Sequence, residues 1–248
     1  MAIQKNKGRW KRSSLSKIKT KRENHPLNFQ AKAIAAHHLI SCDVAAKLSS
    51  TRKKQIVYKG YDINYPFNLV FLPMMDQSAC HYEVPLHKSG HTDRKIEEFY
   101  SEKKGSTIDS DISELEANLH KETDKDKSTI LQDDINMVSH LKGYHRVVGS
   151  MLAKVLKNLD CDDNKDDFVD TLDELSIEIA AEIGRFKLHL ISRGRHMESN
   201  QKGCSYCRKA NARHDHYSVL SNTKILPKDA IKRYCYTGVR LYTVQEHI

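Results

Sequence analysis

The sequence predicts an α+β protein that is predominantly helical, and two features of its patterning carry this prediction. Between residues 108 and 192, apolar side chains recur at steps of three and four, the period of an amphipathic helix. Before residue 100 and after residue 235, shorter apolar or alternating runs are typical of strands. We therefore divide the chain into a basic arm (1–26), a mixed α/β core (27–103), a helical region (104–194) and a small Cys/His-rich α+β tail (195–248).

The composition favours a modest core and a polyanionic partner. The 248 residues suffice for one large or two small domains, and 39% are hydrophobic against 29% charged. The net charge of +9 favours nucleic acid or an anionic surface. The sequence contains no run of about 18 apolar residues, so no membrane span is predicted. It also has no apolar segment behind its first charged residues, so no cleaved secretory signal is predicted.

The arm carries nine Lys or Arg residues and a single acidic residue, Glu23. Sparse apolar residues predict a flexible segment, which can clamp phosphates without sequence preference. The residues that we assign to nucleic-acid binding are Lys11, Arg12, Lys19, Lys21 and Arg22. A purely solubilising tail is the open alternative.

Short elements are predicted in the core. Residues 43–48 read as helical turns, 55–58 as a short β run before the Lys59-Gly60 turn, and 68–72 as a strand. Residues 92–100 read as a helix with Thr92 as its N-cap.

Three further helical stretches are predicted downstream. Apolar stripes cover 108–119 and 131–159, separated by a polar loop at 122–128. The clearest helix covers 166–192, with its C-cap near Gly194. We expect these helices to form a hairpin or small bundle on the core.

Histidines in the core offer the groups that phosphodiester hydrolysis needs. Neighbouring residues on a strand point to opposite sides, so His37 and His38 can serve a metal and a substrate separately. His87 and His91 share a face if their segment is helical, or meet in a tight loop at Gly90. A neutral imidazole can take a proton from water or bind zinc, nickel and similar metals. The other nearby histidines, His81 and His145, are expected to be structural.

Three motifs in this order resemble one known family. Ala36-His37-His38, the run from Asp62-Ile-Asn through Asn68-x-x-x-Leu-Pro, and His87-x-Ser-Gly-His91 resemble the AHH nucleases. These are a branch of the HNH/endonuclease VII superfamily with the ββα-metal fold, found mostly as toxin domains of bacterial competition systems. The resemblance covers roughly residues 30–100.

The resemblance implies a role for each matched residue. It makes His37, His87 and His91 ligands of one divalent metal (Zn, Ni, Mn or Mg), with Asp62 as a fourth ligand or a supporting residue. It makes His38 the general base. The asparagine that fixes the hairpin and the base falls on Asn68, although Leu69 replaces the glycine that commonly follows, which leaves Asn64 as the alternative.

The tail contains a second group of metal-binding residue types. Cys204 and Cys207 form a Cys-x-x-Cys knuckle, followed by His214, His216 and Cys235. Such spacing predicts a structural zinc site, and ordinary reduced cysteines are the alternative. Basic and tyrosine side chains around the knuckle are suited to gripping nucleic acid.

These patterns lead to one functional prediction and its rivals. We expect an HNH-type, metal-dependent endonuclease that hydrolyses DNA, with an RNase of the same fold as an alternative. The resemblance implies an antibacterial toxin that is made in the cytoplasm, delivered without a cleaved signal peptide, and neutralised by an immunity protein. The alternative hypothesis from another functional class is a non-catalytic, zinc-containing nucleic-acid-binding protein. A third hypothesis is that the helical region is an adaptor that binds partners.

Overall fold

A computed structural model describes residues 34–212, residue 216 and the backbone of 236–237 and 240–241. Its strands are β1 (Ile34–His38), β2 (Leu69–Pro73), β3 (Tyr236–Thr237) and β4 (Arg240–Leu241). Its helices are α1 (Cys42–Lys47), α2 (Ser50–Tyr58), α3 (Asp76–Tyr82), α4 (Lys95–Lys104), α5 (Ile108–Leu119), α6 (Lys125–Ser139), α7 (Tyr144–Leu156), α8 (Lys165–Gly184) and α9 (Ser205–Ala210). The predicted α+β, predominantly helical fold is confirmed. The arm residues proposed to bind nucleic acid lie outside the described residues.

The central sheet pairs β1 with β2 in antiparallel register. His37 lies opposite Val70 and His38 opposite Leu69, and all five residues of β2 are buried. In β1, Ile34 and His37 are buried, whereas Ala35, Ala36 and His38 are half-buried. The two adjacent imidazoles therefore lie in different surroundings, as expected for neighbouring strand residues that point to opposite faces.

The helical region packs directly on this sheet. One cluster of buried side chains runs from Ile34 on β1 to Leu190 beyond α8, with Tyr144 and Phe168 among its largest fully buried members. Several helices begin with a side-chain N-cap, for example Ser41, whose Oγ accepts from the Val44 amide at 3.2 Å. Among the described helices, none is both long and apolar enough to cross a membrane.

The predicted β run at 55–58 is wrong, because these residues end helix α2. The buried side of α2 is polar: Arg52, Gln55 and Lys59 are buried at helical spacing together with Ile56. Arg52 donates to an Asp134 carboxylate oxygen of α6 at 2.9 Å and to Gln55 at 2.8 Å. A reading based on apolar periodicity does not recognise a helix that buries charged groups through such pairs.

Three predicted helix boundaries are also corrected. Helix α4 begins at Lys95 rather than at Thr92, and Asp93 supplies the acceptor for the Lys95 amide at 3.1 Å. The stripe at 131–159 is divided between α6 and α7, because Gly143 turns the chain at φ +59. The helix predicted to reach 192 ends at Gly184, and Phe186 follows at φ +55.

Candidate metal-binding active site

Three of the predicted histidines meet at one end of the sheet. His37 comes from β1, whereas His87 and His91 lie in the loop after α3, so the loop alternative is the one observed. The His87 amide donates to the Pro73 carbonyl at 2.8 Å and thereby ties this loop to the end of β2. The ligand atoms of the three rings lie within 4.8 Å of one another. Their ring centroids are 4.9 to 5.4 Å apart.

Burial keeps two of these imidazoles neutral at ordinary pH. It holds the pKa of His37 well below its usual value, and the neighbouring imidazoles lower it further. Burial also lowers the pKa of His87 to about 4. Within the described residues, His37 Nε2 and His87 Nδ1 are buried without a hydrogen-bond partner. Since buried polar atoms are nearly always satisfied, these two nitrogens point to a ligand.

The third ring is oriented by the backbone. The Nδ1 of His91 lies 2.7 Å from the Leu190 carbonyl oxygen, so it donates there and leaves Nε2 as the atom with a lone pair. Metal-binding histidines typically donate their second nitrogen in this way. The centre of a triangle with 4.8 Å sides is about 2.8 Å from each corner, so small side-chain rotations reach the 2.0–2.1 Å typical of zinc–imidazole bonds. The three residues therefore fit a divalent metal.

His38 is held by a different partner. Its Nε2 lies 2.9 Å from Asn64 Oδ1, an acceptor, so Nε2 carries the proton and Nδ1 is the ring's accepting atom. Asn64 is buried, and both its backbone amide and its Nδ2 donate to Asp62 Oδ1, at 2.9 and 3.4 Å. Asp62 thus orients Asn64, and Asn64 orients His38.

These contacts agree with the supporting alternative for Asp62 and divide the role predicted for Asn68 between two asparagines. Asp62 is not one of the three residues whose ligand atoms converge. Asn68 is fully buried, and its amide bonds the backbone of Ile40 and Ile63 together with the Ser176 hydroxyl. Asn68 therefore ties the loop that carries Asn64 to the end of β1, and the asparagine that contacts His38 is Asn64.

The start of α7 forms a wall of the site that the sequence did not reveal. The Tyr144 amide donates to the His91 carbonyl at 2.8 Å, and its ring centroid lies 5.0 Å from that of His37. His145, expected to be structural, is bonded to Ser41 at 2.8 Å and lies 5.8 Å from His91 between centroids. A Cβ at Gly143 would collide with the His91 carbonyl oxygen. These contacts join residues far apart in the chain, so no local pattern signals them.

A cationic pair lies beside the His87–His91 loop. Lys88 follows His87 directly, and Arg193 follows the segment that contacts His91. Both approach a single carboxylate, Asp76, at 3.4 and 3.2 Å, and both remain nearly half exposed. One acid neutralises only one of the two charges, so a net positive charge remains at the surface.

The predicted tail site is assembled from partly different residues. Cys204, Cys207 and His216 lie together, and Cys80 of α3 joins them. The other two predicted ligands, His214 and Cys235, lie outside the described residues. Cys80 was missed because it stands 124 positions before Cys204 in the chain. No disulfide joins the cysteines of residues 34–212.

Comparison with known families agrees with the motifs. Residues 20–137 match the AHH family, described as a nuclease family of the HNH/ENDO VII superfamily with conserved AHH. The match spans just under half of the chain and contains the strand, loop and histidines described above. Neither the curated proteins nor the solved structures contain a match. The resemblance to AHH nucleases is confirmed over this range, and a nuclease family implies a nucleic-acid substrate.

Proposed function

We propose, on the premise that residues 20–137 form an AHH-type nuclease region, that the protein is a metal-dependent endonuclease that hydrolyses DNA. One observation carries the proposal. Three imidazoles converge, two of them with buried, unsatisfied nitrogens, and a fourth histidine, one residue from His37 on the same strand, is held in a single tautomer. A metal site with a purely structural role does not require a fourth histidine that is held in one orientation beside it.

The residues divide the chemistry between them. His37, His87 and His91 would hold the ion, which when bound neutralises charge on the phosphate and on the departing oxygen. His38 acts as general base: Nδ1 accepts the proton of the attacking water while Nε2–H stays bonded to Asn64. The water oxygen forms a bond to phosphorus, and the ester P–O bond breaks. The departing oxygen carries the released electron pair and is protonated from solvent.

The donor set favours borderline metals. Three imidazoles suit zinc and nickel better than manganese or magnesium, which prefer oxygen ligands. We therefore expect the metals that bind imidazole more tightly to give the higher activity, even though Mg²⁺ is more abundant.

Substrate binding is proposed to be electrostatic. Lys88 and Arg193 beside the loop, and the arm residues named above, would contact phosphates without reading bases. The net charge of +9 supports this proposal, and affinity should fall steeply with salt.

The biological role that we propose is that of an antibacterial toxin. The resemblance to competition toxins supports it, together with a cognate immunity protein and delivery from the producing cytoplasm into a target cell. Expression of the protein in a bacterium should arrest growth, and the His38→Ala variant should not. Equal toxicity of both proteins would contradict a role through this site.

The decisive experiment incubates the full chain with supercoiled plasmid and with single-stranded RNA, in Zn²⁺, Ni²⁺, Mn²⁺ or Mg²⁺. We expect plasmid nicking that is lost in His38→Ala and retained in His140→Ala, an exposed histidine bonded only to its own helix in the described contacts. Cleavage of RNA alone would replace DNA as substrate. Binding without cleavage in every metal would favour the non-catalytic reading.

A further inference from the structure

We infer that Cys80, Cys204, Cys207 and His216 bind one zinc ion, which fastens the tail to helix α3. This site is distinct from the three-histidine site and does not depend on the proposed nuclease activity. Its ligands come from a helix of the core and from a segment more than 120 positions later.

The distances match tetrahedral zinc. With Zn–S near 2.3 Å and Zn–N near 2.0–2.1 Å, two sulfurs on one ion are about 3.8 Å apart, and a sulfur and a nitrogen about 3.5 Å apart. Cys207 Sγ lies 3.8 Å from Cys80 Sγ and 3.9 Å from Cys204 Sγ. His216 Nε2 lies 3.5 Å from Cys204 Sγ and 3.3 Å from Cys207 Sγ. The four atoms therefore outline one coordination sphere.

The surroundings suit an ion better than bare thiols. All four side chains are at most 3% exposed. The distance of 3.9 Å between the Sγ atoms of Cys204 and Cys207 is far longer than the roughly 2.05 Å of a disulfide bond. The Cys204 backbone amide donates to Cys80 Sγ at 3.2 Å, a contact that stabilises a thiolate. A buried set of three sulfurs and one imidazole is a typical structural zinc site.

The packing around the ligands gives an ion a structural role. A small apolar cluster separate from the main core surrounds them, formed by Ala79, Cys80, Leu86, Phe186, Ile191, Met197, Cys204 and Cys207. Three of its eight members are proposed ligands, so an ion bound there would link helix α3 to residues 204–207 within this cluster. Zinc binding supplies folding free energy in segments too small to fold alone.

Zinc content tests the inference on the full chain. A His87→Ala/His91→Ala double variant removes the other metal site, and we expect about one zinc per chain to remain. Cys80→Ser and Cys204→Ser should lose that zinc, while Cys161→Ser, an exposed cysteine, should keep it. Reconstitution with Co²⁺ should show thiolate-to-cobalt charge transfer and the intense bands of tetrahedral cobalt.

A second measurement avoids variants that fail to fold. In the native protein, Cys80, Cys204 and Cys207 should resist alkylation until a chelator is added, whereas Cys161 should react at once. Alkylation mapped by peptide mass spectrometry reads this directly. The inference is overturned if the double variant carries no zinc, if Cys80→Ser keeps full occupancy, or if removing zinc leaves the three thiols equally protected.

Discussion

Replacing Asn64 by alanine tests the contact that orients the proposed base. The change removes the Asn64 oxygen that accepts from His38 Nε2 at 2.9 Å, and with it the contact that selects this tautomer. The backbone bond from residue 64 to Asp62 survives, because it uses the amide rather than the side chain. We therefore expect a catalytic defect in a protein that remains folded.

The magnitude follows from the contacts that are lost. Removing a hydrogen-bond partner that orients a functional histidine typically costs about 10–100-fold. We expect kcat to fall by that factor in Asn64→Ala, with a loss of stability of about 1–2 kcal/mol from its two side-chain bonds. His38→Ala should lose about 10²–10⁴-fold, and the double variant should be no worse than His38→Ala.

Asn68→Ala is the matched control, because it deletes a neighbouring amide with a different set of partners. Its side chain makes four bonds, to the Ile40 amide and carbonyl, the Ile63 carbonyl and the Ser176 hydroxyl. Leaving these buried groups unpaired should cost about 3–5 kcal/mol and lower Tm.

The assay measures plasmid nicking at saturating metal, with KM and Tm determined for each variant. An orienting role for Asn64 is refuted if Asn64→Ala retains kcat within about twofold of the parent protein, a change below that expected for an orienting contact. The structural role of Asn68 is refuted if Asn68→Ala lowers kcat while Tm stays unchanged.

Three further predictions test the scaffold. Gly143→Ala should weaken metal binding at His91 and lower activity, since the added Cβ would press on the His91 carbonyl. The control is Gly105→Ala, which has open space at φ +76 and should lose only about 1 kcal/mol of stability. Calorimetric metal titration compares the two variants. Burial raises the pKa of Asp173 to about 7, so the folded state holds a proton that the unfolded chain releases above about pH 4. The free energy of unfolding should therefore fall as pH rises from about 4 to about 7, and Asp173→Asn should flatten that decline. Chemical denaturation at each pH measures both proteins, and an equally steep decline in Asp173→Asn would contradict the prediction. Arg52→Ala should cost about 3–5 kcal/mol in urea unfolding because it strands a buried carboxylate. Arg52→Met restores packing but not charge, so it should cost about as much; a much smaller loss in Arg52→Met would show that packing rather than charge was what was lost.

Some features of this protein follow from local pattern alone. The buried and half-buried environments of His37 and His38 follow from strand alternation, and the regular stripe of α8 follows from helical period. Both periods are properties of neighbouring residues, so they can be read without knowing the fold. The motif order likewise predicted the resemblance to the AHH nucleases that residues 20–137 match.

Other features depend on which distant segments meet. Asn64 and Asn68 are four positions apart in the same motif, and the sequence does not show which of them contacts His38. The packing of the loop places Asn64 against His38, whereas Asn68 bonds to the backbone. Cys80 joins Cys204 and Cys207 because α3 packs against the segment that carries them, and the charged side of α2 can be buried because Arg52 pairs with Asp134 on α6. The physical reason is that a hydrogen bond or metal site selects partners by position in space, and the period of a single segment carries no information about its partner.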